Sequence, residues 1–120
     1  QKGNIVTAKE VVALSAGTAT TYTAISLSAI VPPNAIGADV GLWFAPTSGG
    51  LTLVGAFVGS DGSGTTATYG HKRSGAAIDE NNGLYEQIGI IPLTTAQQIK
   101  YYLSGSNTPL LYVYIHGWIF

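Results

Sequence analysis

Hydrophobic and polar residues alternate with a period of two along most of this chain, the pattern of strands that bury one face. The last stretch is the clearest case. Leu111, Val113, Ile115 and Ile119, with Gly117 among them, fall on one side, and Tyr112, Tyr114, His116, Trp118 and Phe120 fall on the other. Ile99, Tyr101 and Leu103 alternate in the same way with Lys100 and Tyr102, and Val40, Leu42 and Phe44 alternate with Asp39, Gly41 and Trp43. Ile25 and Leu27 stand between Ala24, Ser26 and Ser28. Sixteen glycines leave few uninterrupted windows for an amphipathic helix, and the apolar runs are rich in Val, Ile, Thr and Tyr.

The pattern predicts strands over residues 4–14, 21–30, 36–44, 51–58, 66–72, 84–93, 98–104 and 110–120. Turn signals separate them, among them Val31-Pro32-Pro33-Asn34, Ser60-Asp61-Gly62-Ser63-Gly64 and Asn81-Asn82-Gly83. About eight short strands at this spacing predict an all-β fold, an antiparallel β-sandwich. The polar stretch from Ser104 to Pro109 has the length of a hairpin loop, so residues 98–104 are expected to pair with the last strand.

At 120 residues the chain is expected to form a single domain, residues 1–120, large enough to hold a core. It has no cysteine, which removes disulfides, thiolate metal sites and thiol nucleophiles. Only 9% of residues are charged, against about 25% in an average globular protein. Apolar content of 46% argues against disorder. No stretch approaches the ~18 consecutive apolar residues of a membrane span, so no membrane insertion is expected. Five basic residues scattered against six acidic ones form no basic stripe, so no nucleic-acid partner is expected.

Low charge changes the meaning of the aromatic side of the last strand. Four aromatic residues and a histidine are too apolar to stay wet, and a second layer of the same domain or a neighbouring subunit would cover them. The scarcity of charge favours the subunit, and Tyr112, Tyr114, His116, Trp118 and Phe120 are the expected oligomer interface. In an oligomer, copies of His116 meeting on a symmetry axis would suit a metal or a pH response, but a histidine hydrogen-bonded within the interface is the favoured reading.

Charge is concentrated in one place. His71, Lys72 and Arg73 precede Asp79, Glu80 and Glu86, and the segment from Gly70 to Gly83 reads as a solvated loop, a candidate for receptor or partner contact. A hydrolytic site built from these groups lacks a Gly-x-Ser-x-Gly elbow or a His-Glu-x-x-His helix. Asp61-Gly62-Ser63-Gly64 lacks the further carboxylates of a calcium loop. No catalytic residue, cofactor or metal is therefore expected, and the chain does not read as an enzyme.

Ile30-Val31-Pro32-Pro33-Asn34-Ala35 leads into an apolar strand, followed by a Gly/Ser-rich middle, Ile99-Lys100-Tyr101-Tyr102, and a closing Val113-Tyr114-Ile115-His116-Gly117-Trp118. This order of features, over residues 21–120, resembles the small, jelly-roll-like β-sandwich domains of tailed-bacteriophage virion proteins: tail fibres, receptor-binding proteins and capsid decoration proteins. The resemblance implies a homotrimer packed around a three-fold axis on the head or tail of a phage particle. Its partners would be other virion proteins and, for a receptor-binding part, a host-surface glycan. It carries no catalytic residues to transfer. The alternative is a carbohydrate-binding module, in which Trp43, Trp118 and the seven tyrosines stack on sugar rings.

Overall fold

The computed structural model describes residues 5–45, 52–69, 72–78, 84–105 and 110–120. They form ten strands: β1 (Ile5–Gly17), β2 (Thr23–Ser26), β3 (Gly37–Ala45), β4 (Thr52–Gly59), β5 (Asp61–Ser63), β6 (Thr66–Tyr69), β7 (Lys72–Ile78), β8 (Leu84–Pro92), β9 (Gln98–Gly105) and β10 (Leu110–Ile119). Two four-stranded antiparallel sheets have the orders β1-β10-β3-β8 and β2-β9-β4-β7, and β5 and β6 form a separate hairpin.

These orders follow from one folding-back of the chain. The hairpin β5–β6 sits at the fold, and around it β4 pairs with β7, β3 with β8, β2 with β9 and β1 with β10. Successive pairs alternate between the two sheets, so a long antiparallel double strand wraps into a sandwich. That is jelly-roll topology, with a hairpin inserted between the fourth and fifth of its eight strands.

The alternation of β3 and β10 builds one wall of the core. Val40, Leu42, Phe44, Leu111, Val113 and Ile115 are fully buried, each contributing about 1.5–3 kcal/mol. Ile99 and Leu103 of β9, Ile25 of β2 and Val58 of β4 face them from the second sheet. Tyr101 closes one end: its hydroxyl accepts a hydrogen bond from Ala19 N (3.3 Å), and it lies so close to Gly17 that a Cβ there would be 2.7 Å from the oxygen. Ser60, buried after β4, donates its hydroxyl to the carbonyl of Pro92 on β8 and ties the sheets together.

Four expectations change. β9 and β10 do not pair; they lie in opposite sheets and bury their aliphatic faces against the same core. Period-two alternation reports a buried face, not the strand across the ladder. The strand expected over residues 21–30 stops at Ser26, because the backbone turns so that Ile30 N and Val31 N both donate to Leu27 O (2.9 and 2.8 Å). Gln97, held at φ +56°, clamps that turn by donating its side-chain amide to Val31 O (2.5 Å).

The stretch expected as a charged loop contains a strand. Lys72–Ile78 pairs along its whole length with β4, Lys72 opposite Val58 and Arg73 opposite Phe57. Its Ser74-Gly75-Ala76-Ala77 run has no apolar alternation to announce it, and the long-range pairing with Val54-Gly55-Ala56 makes it a strand. The turn expected at Asp61 to Gly64 is likewise the start of the hairpin β5–β6, where Gly64 supplies the positive φ (+58°) of a two-residue connection.

Candidate interaction face

The two sheets differ in what lies over their outer sides. Over the second sheet, the hairpin β5–β6 is clasped by Lys100 of β9, whose ammonium meets Asp61 Oδ1 at 2.9 Å and donates to Gly62 O at 3.1 Å. Tyr22 N–H donates to Gly64 O (2.7 Å), the Tyr22 ring fills the space a Gly62 side chain would need, and Tyr22 meets Tyr102 edge-on at 4.7 Å. The hydrogen bond from Lys100, the Gly62 N–H and the lysine charge together hold the Asp61 carboxyl below its ordinary value.

Among the described residues, no element lies over the outer side of the first sheet. On it β3 presents Gly37, Asp39, Gly41 and Trp43, the partners of its buried Ala38, Val40, Leu42 and Phe44. Cross-strand register sets Tyr112, Trp43 and Tyr85 in one row across β10, β3 and β8, and Tyr114, Gly41 and Gln87 in the next. Trp43 and Tyr112 are 5.1 Å apart, and Tyr85 and Tyr114 are 6.2 Å apart. Tyr85 is 46% exposed, and Ile90, further along β8, is 40% exposed.

A hydrogen-bonded bridge crosses the middle of this face. Tyr85 Oη lies 2.6 Å from His116 Nε2, spanning β3 above Gly41, where any Cβ would come within 2.6 Å of both groups. On the far side, His116 Nδ1 faces Glu10 Oε2 of β1 at 3.9 Å. Beside the bridge, Gln87 Nε2 donates to Asp39 Oδ1 (2.7 Å). Partial burial, and then the negative field of Glu10, Tyr114 and Asp39, push the Tyr85 phenol above its ordinary value. Glu10, His116 and Tyr85 thus lie within reach of one another, the Tyr85 hydroxyl also hydrogen-bonding the Glu10 side chain. Among the described residues no three His, Asp or Glu side chains converge as a metal ion would need, and no helix is long and apolar enough to cross a membrane.

Of the five residues expected at an oligomer interface, the structure gathers Tyr112, Tyr114 and His116 on this face and separates Trp118 from them. The ladder from β10 to β3 runs Ile115 opposite Val40 and then Gly117 opposite Asp39, so His116 is one residue too many, a β-bulge. Beyond it the alternation changes phase. Trp118 stands opposite the fully buried Ala38 and packs on the core, while Ile119 comes to lie over Gly37 beside Ile90. The indole N–H of Trp118 is buried with no hydrogen-bond partner among the described residues. Phe120 follows the strand and is half-buried.

A matching irregularity occurs on the other side of β3. Val40 pairs with Gly89 and Gly41 with Gln87, leaving Ile88 as the extra residue of β8, and Gly89 takes φ +87°. Both bulges flank Val40. Of the charged residues expected to contact a receptor or partner, Lys72 and Arg73 have their backbone in β7, and His71, Asp79 and Glu80 lie outside the described residues.

Glu10, Tyr85 and Gln87 join the face through tertiary neighbours and were not singled out by the pattern of the last strand. For Trp43, Asp39 and Gly41 a signal existed, the alternation of β3. Comparison with known proteins finds no matching family model, no matching curated protein and no matching solved structure.

Proposed function

We propose that this chain is a structural component of a bacteriophage particle, a tail-fibre, receptor-binding or head-decoration part, that acts by assembling into a homotrimer and attaching to its partners. It has no catalytic role in this reading. Jelly rolls serve viral shells, but also lectins and enzymes, so the fold alone does not carry the argument. The observation that carries it is the outer side of the sheet β1-β10-β3-β8, where Tyr112, Tyr114, Trp43 and Tyr85 lie close together and Ile90 is exposed further along β8. Aromatic residues grouped on one face, with few charges among them, are the composition of contacts between proteins.

Light scattering of the purified chain tests this reading. It requires a trimer, and Tyr85→Glu or Tyr114→Glu should shift the trimer toward monomer without unfolding it. A monomeric wild-type chain would exclude it.

A second reading has its own observation. The Tyr85 ring is exposed beside the Asp39–Gln87 pair, and a stacking ring next to a fixed carboxylate suits a sugar, whose apolar face stacks while its hydroxyls hydrogen-bond. In that case the chain is a carbohydrate-binding module. Tryptophan fluorescence should then change on adding host polysaccharide, and the change should vanish in Trp43→Ala.

A further inference from the structure

The aromatic face contains an unevenness of charge. Among the residues of this face whose side chains the structure describes, the carboxylates are those of Glu10 on β1 and Asp39 on β3, and the only basic side chain is that of His116. The alternation of β10 places that imidazole on the outer side between them, and the bulge falls at this residue. Every element beside it presents an acidic or titratable group: Glu10 from β1, Asp39 from β3, Tyr85 from β8 and Tyr114 from β10 itself. Tyr85 Oη is already 2.6 Å from Nε2, and Glu10 Oε2 is 3.9 Å from Nδ1.

We propose that protonation of His116 strengthens the association of this face with a second copy of the same chain, so that assembly is linked to proton uptake. The inference rests on the reading of the face as a contact between copies. When copies of this face meet around the three-fold axis, carboxylates of one copy approach those of its neighbours and lose water, a cost unless a positive charge accompanies them. A proton on the imidazole supplies that charge in place. Both ring nitrogens then donate, Nδ1 toward Glu10 and Nε2 to the Tyr85 oxygen, while the Tyr85 hydroxyl keeps its own hydrogen bond to the Glu10 side chain. The isolated face has water to solvate its carboxylates and needs the proton less. The assembled state therefore binds more protons, and association tightens as pH falls.

Sedimentation velocity of the full chain, at about pH 7.5 and about pH 5.5, spans the range in which a histidine changes charge. The dissociation constant should fall with pH, by at most about tenfold per pH unit for each histidine that takes up a proton on association. His116→Gln should associate with equal strength at both pH values, and His116→Asn replaces it if circular dichroism shows Gln to be unfolded. Glu10→Gln, on the exposed edge strand, should associate more tightly at neutral pH and depend less on pH. Equal wild-type affinity at both pH values, or an undiminished pH dependence in the His116 variants, overturns the proton linkage and leaves the assembly reading standing. A wild-type monomer at every pH overturns both.

Discussion

The hydroxyl of Tyr85 and Nε2 of His116 lie 2.6 Å apart across the central strand β3, and Gly41 is the residue over which that bond closes. Side chains from two non-adjacent strands meet because the strand between them has no Cβ at the crossing point. The bond depends as much on an absent atom as on the two present. Gly41→Ala would place a Cβ 2.5 Å from Nε2 and 2.6 Å from Oη, so one side chain must swing away. The expected cost is about 1–2 kcal/mol in denaturant unfolding. Tyr85→Phe removes the same bond, so the cost of Gly41→Ala should shrink in the Tyr85→Phe background, and additivity of the two would contradict the bridge.

Trp118 should behave as a core residue and Tyr114 as a surface one, although they are four residues apart on one strand. Trp118→Ala is expected to cost about 3 kcal/mol, the lower end for a large aromatic, because the ring is only partly buried. For Tyr114→Ala, about 1 kcal/mol or less is expected, measured on the monomer. Equal losses would mean that the alternation of β10 runs on unbroken through His116.

Acid should loosen the hairpin β5–β6 before the rest of the fold. The Asp61 carboxyl is held below its ordinary value of 3.8, so the stabilisation it lends is complete above that value and is lost as pH falls through the lower, folded one. Hydrogen exchange of the backbone from Asp61 to Tyr69 should accelerate in that range. Lys100→Met should weaken the acid dependence, leaving the part due to the Gly62 N–H, and leave the hairpin looser at neutral pH.

Alkali should act on two tyrosines in particular. Burial raises Tyr22, with Tyr102 adding to it, and burial raises Tyr85, with Glu10, Tyr114 and Asp39 adding to it. Both folded values stand above the ordinary 10.0, so the folded state keeps protons that the unfolded chain releases, and stability declines as pH rises past that value. Ultraviolet absorbance of phenolate should show Tyr22 and Tyr85 among the late-titrating members of the set, and Tyr22→Phe and Tyr85→Phe should each remove one late step.

Local pattern reached far into this molecule. The inward sets Val40, Leu42, Phe44 and Leu111, Val113, Ile115, the inward Ile99, Tyr101 and Leu103, and the outward Tyr112, Tyr114 and His116 all follow from a side-chain period of two. That period belongs to each strand by itself, so the amino-acid order determined the all-β class and the buried face of its strongest strands. Only the tertiary structure decided which strands pair, that Lys72–Ile78 is a strand at all, and that one extra residue at His116 sends Trp118 inward and Ile119 outward. A ladder and a bulge are relations between two segments distant in the chain, and their energy exists only when both are present. The face that joins Glu10, Gly41, Tyr85 and His116 draws on four strands, and no one of them carries its pattern.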